Sequence, residues 1–178
     1  DQLVGVTFWD RAFVQNPDRK NQTKDLLLLL EAGATPSTEQ LNRLKIEPED
    51  PLLGVMTRAS RVNRPTSIIT NADIDSLIEL VNKGHRSSSE WAFRVAKKHL
   101  VASQAEQFYS ALALVPEQAN SKRKAAAIRS FIQLINIAPD TAWEILAEVK
   151  DDSEQQKLLL LAMLQNSNKE IIEQAGKI

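Results

Sequence analysis

Apolar residues in this chain recur at every third or fourth position, in stretch after stretch, and almost never at every second. That spacing constrains the fold more than any other feature. A side chain returns to the same face of a helix after about 3.6 residues, and to the same face of a strand after about two. Ile74, Leu77, Ile78 and Val81 follow the i, i+3, i+4, i+7 pattern and predict a helix over 73–83. Thr70 with Asp73 has the form of a capping box at its start. Gly84 supplies the left-handed residue that ends such a helix.

The same grammar repeats downstream. Ser88 or Ser89 opens a helix whose inward stripe is Ala92, Val95, Ala96 and His99 or Leu100. Ser103 with Glu106 suggests another capping box, ahead of Ala105, Phe108, Leu112 and Val115. Pro116 stops that helix, since proline disfavours an α conformation in the residue before it. Ser121 is the expected cap of a longer helix carrying Ala125, Ile128, Phe131, Ile132 and Ile135. Pro139-Asp140 restarts the chain into Ala142, Ile145, Leu146 and Val149. Asp151-Asp152-Ser153-Glu154 opens a leucine-rich helix, and a last short one covers Ile171, Ile172 and Ala175.

Only short polar turns separate these segments, and short connections favour antiparallel neighbours. About ten such helices exceed a four-helix bundle and match stacked hairpins. The expected fold is all-α: stacked antiparallel helical hairpins in an α-solenoid, or an ankyrin-like first half packed on a helical bundle. Residues 1–86 and 87–178 are read as two continuous helical regions.

The segment Lys24–Pro36 contains five consecutive leucines, Leu26–Leu30. A bilayer span needs roughly 20 apolar residues, so a membrane span is not expected. Upstream, Gly5, Thr7 and Ala12 match the opening box of an ankyrin repeat, and Leu28, Leu29, Leu30, Gly33 and Ala34 match its ending. Phe8, Trp9 and Asp10 depart from that box, and the intervening segment is too long. Pro51 and Leu52, followed by Leu77, Leu80 and Gly84, give a second partial match around an insertion. Residues 5–36 and 50–86 therefore resemble degenerate ankyrin repeats. The resemblance implies protein recognition through repeat tips and inner helices, a role also found in effectors that bacteria deliver into host cells. The simpler alternative makes the leucines part of a multi-helix core, with Gly33 an ordinary helix end.

The net charge of −1 conceals a basic centre. Nine acids face six bases over 1–50, twelve bases face six acids over 51–130, and eight acids face four bases over 131–178. Arg58, Arg61 and Arg64 recur at every third residue. Arg94, Lys97 and Lys98 form a second group, and Lys122, Arg123, Lys124 and Arg129 a third. If the hairpins stack regularly, these ten side chains line one partner-binding groove, suited to phosphate or an acidic protein surface. The alternative is a set of ordinary solvated faces.

Enzymatic chemistry has little to work with. There is no cysteine, and the two histidines, His85 and His99, lack metal-ligand spacing. The five glycines are isolated, so no phosphate-binding loop is formed. Asp73/Asp75 and Asp151/Asp152 sit where helix starts use acids. Trp9, Trp91 and Trp143 read as core packing at hairpin junctions. No catalytic or metal site and no cofactor are expected. The chain begins at Asp1 without methionine, consistent with a piece of a larger protein and with an upstream signal.

The expected function is a soluble, cytoplasmic, non-catalytic helical repeat domain that binds another protein. A nucleic-acid-binding domain using the basic segments is the second reading. An accessory domain of a larger enzyme or bacterial effector is the third.

Overall fold

The computed structural model describes residues 68–176 other than 85, 117, 152, 167 and 168, together with Gly54 and Val62. Of these residues 80% are helical and none lies in a strand, so the protein is all-α over this range and a helical bundle fits it. The first ankyrin-like segment, the five leucines and Trp9 lie outside the described residues, as does most of the second segment before Ile68. The chain divides into two compact units after His99.

In the first unit, α1 (Asn71–Asn82) packs against α2 (Arg86–His99). The capping box of α1 is fully formed. Thr70 N–H donates to Asp73 Oδ2 at 2.9 Å, and Asp73 N–H donates to Thr70 Oγ1 at 3.3 Å. Ile74, Leu77, Leu80 and Val81 are buried. Gly84 takes φ 73°, and its N–H donates to the Val81 carbonyl at 3.0 Å. This left-handed turn is so tight that α2 resumes at Arg86. Ser88 and Ser89, expected as caps, therefore lie inside its first turn. Trp91, Ala92, Phe93, Val95 and Ala96 form its buried face.

The second unit contains α3 (Ala102–Ala113), α4 (Ser121–Ile137), α5 (Pro139–Glu148), α6 (Glu154–Leu164) and α7 (Lys169–Ala175). Helix α3 starts ahead of the expected Ser103, with Gln104 Oε1 accepting from Val101 N–H at 3.3 Å. Its Phe108 and Tyr109 rings meet edge to face, centroids 5.2 Å apart. Asn120 rather than Ser121 caps α4, its Oδ1 accepting from Arg123 N–H at 2.9 Å. Pro139 occupies the first position of α5, where its missing N–H is harmless. Ser153, within the stretch expected to open α6, caps it, accepting from Gln156 N–H at 3.1 Å.

Helix α4 is the hub, packed against α3, α5 and α6, and α7 packs against α6. The core gathers Phe108 and Leu112 of α3, Phe131 and Leu134 of α4, and Leu159 and Met163 of α6, all fully buried. Each such burial stabilises the fold by about 1.5–3 kcal/mol.

Side-chain contacts fix the helix directions. Arg123, early in α4, bonds Leu112 at the end of α3, and Arg129, further along α4, acts on Tyr109, earlier in α3, so these two helices run antiparallel. Lys124–Glu154 joins the starts of α4 and α6, and Asn166 Nδ2 donates to Asn136 Oδ1 at 3.3 Å at their ends. Helices α4 and α6 therefore run in the same direction. Thr141 Oγ1 donates to Glu106 Oε1 at 2.6 Å, joining the early turns of α5 and α3. Helices α5 and α6 touch each other far less than either touches α4.

Candidate functional site

The ten cations singled out above fall in three places. Arg58, Arg61 and Arg64 lie outside the described residues. Arg94, Lys97 and Lys98 are exposed on α2 in the first unit. Lys97 and Lys98 occupy its last turn, where positive charge complements the helix dipole without any partner being required. Lys122, Arg123, Lys124 and Arg129 lie on α4 in the second unit.

On α4 the four cations separate. Arg123 is buried. Its Nη1 donates to the Leu112 carbonyl at 2.7 Å and its Nη2 to the Leu114 carbonyl at 2.6 Å. Burial pushes the affinity of this guanidinium for its proton down, yet arginine remains charged in proteins. Lys124 is half-buried and ion-paired with Glu154. Lys122 and Arg129 are exposed. They stand seven residues apart, about 10.5 Å along one face of the helix.

The end of α3 explains why an arginine is drawn inside. A helix leaves its last carbonyls without intrahelical donors, and here the chain turns extended at Leu114, just before Pro116. Arg123 serves two of these carbonyls. Gln155 of α6 serves the segment between them: its Nε2 donates to the Ala113 carbonyl at 2.9 Å, while its Oε1 accepts from Val115 N–H at 2.8 Å. Three helices are thus tied at one joint. Sequence reasoning missed Gln155 and Glu154, because a glutamine and a glutamate in the first turn of a polar helix start carry no distinguishing signal.

The outer face of α4 holds an open groove of about 440 Å³. Ala125, Ile128 and Ile132 supply its apolar floor, and Arg129, Gln133 and Gln165 its polar lining. Of the five apolar residues expected on this helix, Phe131 and Ile135 are in the core, while Ala125, Ile128 and Ile132 lie outside it. The helix carries two apolar stripes. Ala127, Phe131 and Leu134 form the buried one, and Ala125, Ile128 and Ile132 the outer one. The Arg129 charge also acts on the phenol of Tyr109, partly offsetting the upward push that burial gives that group.

Among the described residues, no group of three His, Cys, Asp or Glu side chains could hold a metal ion. Among them, no helix is long and apolar enough to cross a membrane. Trp91 is buried in α2, while Trp143 on α5 is half-buried. No family profile, curated protein or solved structure matches the chain.

Proposed function

We propose that the chain is a non-catalytic α-helical repeat domain that binds another protein. The register of α4 and α6 carries this reading. Their starts and their ends are joined by side-chain bonds between residues 30 apart in both cases, and α3 and α5 are joined in their early turns by residues 35 apart. Helix pairs repeated in the same orientation are the unit of a hairpin stack, and such stacks present long surfaces to partners. The ankyrin-like character of residues 5–36 and 50–86 belongs to the same proposal. On α6, Leu161 and Leu164 are 44% and 53% exposed and share one face at i, i+3 spacing, an apolar strip suited to a protein contact.

The test is capture from native lysate at low and high salt, with and without nuclease. The wild-type chain is run beside a Leu161→Glu/Leu164→Glu variant. One protein retained through nuclease and high salt, and lost by the variant, supports the proposal. Recovery that requires nucleic acid and collapses with salt would replace it with a nucleic-acid-binding function.

A further inference from the structure

Among the described residues, α3, α4 and α5 each pack against the other two, and Thr141 of α5 bonds Glu106 of α3 across the group. Helix α6 joins this group along one side. It packs on α4, touches α5 far less, and carries α7 on itself. Its other side is open to water at Leu161 and Leu164. Loosening any helix of the three-helix group breaks its packing against two others. Releasing α6 breaks its packing against one.

The polar contacts along that single interface are of a kind that water can replace. Glu154 is exposed, so its pairing with Lys124 adds little. The Asn136–Asn166 bond is long, at 3.3 Å, and part-buried. The two bonds that Gln155 makes to the Ala113 carbonyl and the Val115 N–H are part-buried as well, so water can take over both groups when Gln155 withdraws. What opposes release is apolar: Leu159, Ala162 and Met163, all fully buried. The link from α5 to α6 is a short turn, in which Ser153 N–H donates to the Lys150 carbonyl at 3.2 Å, and Lys150 and Asp151 on it are exposed. Segments anchored by fewer buried contacts open at a lower free-energy cost than the whole domain.

We propose that α6 and α7 form a flap that opens as one unit, turning at the link after Glu148, while α3, α4 and α5 stay folded. Opening uncovers the side of α4 on which α6 rests. The device is a property of this fold and does not depend on the reading of the chain as a protein-binding domain.

Native-state amide hydrogen exchange of the full chain tests it, followed at increasing urea below the unfolding transition. The protected amides of α6 and α7 are expected to exchange at least about tenfold faster than the slowest amides of α3 and α4. They are also expected to share one urea dependence, weaker than that of α3 and α4 because less surface is exposed. Thr141→Val removes the bond between α5 and α3 and leaves α6 untouched. It is expected to speed exchange in α3, α4 and α5 about fivefold with no change in α6 and α7.

Amides of α6 and α7 that match those of α4 in rate and urea dependence would overturn the proposal. So would amides that speed up together with α4 in the Thr141→Val protein, since both results mean that α6 leaves only when the whole unit unfolds. Exchange scattered over many rates along α6, without urea dependence, would also overturn it, because that is fraying residue by residue and not the opening of a flap.

Discussion

Lys122, Arg123 and Lys124 are neighbours in sequence with three different surroundings: solvent, the carbonyls ending α3, and a carboxylate on α6. Arg123→Met should lower stability by about 2–3 kcal/mol, because it strips donors from carbonyls that water cannot reach freely. Urea unfolding measures this, and a loss below half that size would mean the carbonyls find other donors. Ser130 in α4 has a fully buried hydroxyl with no hydrogen-bond partner. Ser130→Ala should therefore raise stability by about 1 kcal/mol; a loss would reveal a bond that the hydroxyl makes in solution. Lys124 holds the exposed Glu154 carboxyl below its ordinary value of 4.5. The folded state then binds this proton more weakly than the unfolded one. Its stabilisation is present above about pH 4.5 and is lost as pH falls through the depressed value. Glu154→Gln should lower the urea midpoint slightly at neutral pH, with the difference vanishing once pH falls below the depressed value. A difference independent of pH would show that the charge is irrelevant. None of these roles was legible in the run itself, since a basic triplet reads as solvated surface until its neighbours in space are known.

At the scale of the element, α1 was readable almost completely. Its cap and its terminating glycine are local signals and were realised, and of the expected apolar face Ile74, Leu77 and Val81 are buried, while Ile78 is half-buried and Leu80 takes its place in the core. Gly84→Ala should cost about 1–2 kcal/mol, because a side chain at positive φ meets its own backbone. Thermal unfolding checks it, with Gly84→Asn expected to lose less. Helix starts were less readable where two capping residues compete, as Asn120 and Ser121 do. The inner face of α4 was not legible for a different reason. Spacing identifies a stripe but not the direction it faces, and this helix has two. Only packing against α3, α5 and α6 decides that Ala127, Phe131 and Leu134 point inward. The outer stripe was thus present in the sequence as a periodic signal that carried no mark of the side it faces.

For the whole molecule, helical class followed from the absence of period-two alternation, whereas the partition after His99 had no compositional mark. Residues 100–178 hold their own buried core, and this segment expressed alone should be helical by circular dichroism and unfold cooperatively in urea. A broad, non-cooperative transition would show that the core is insufficient without the rest of the chain. The joint at the end of α3 also sets a timetable. Arg123 reaches carbonyls only 11 and 9 residues behind it, whereas Gln155 reaches back 42 and 40. Closing the longer loop carries the larger entropy cost. During synthesis Arg123 emerges 32 residues before Gln155, so the Ala113 carbonyl and the Val115 amide lack their partner for that interval. They are matched only when α6 emerges, so the last clasp of this joint closes from the C-terminal side.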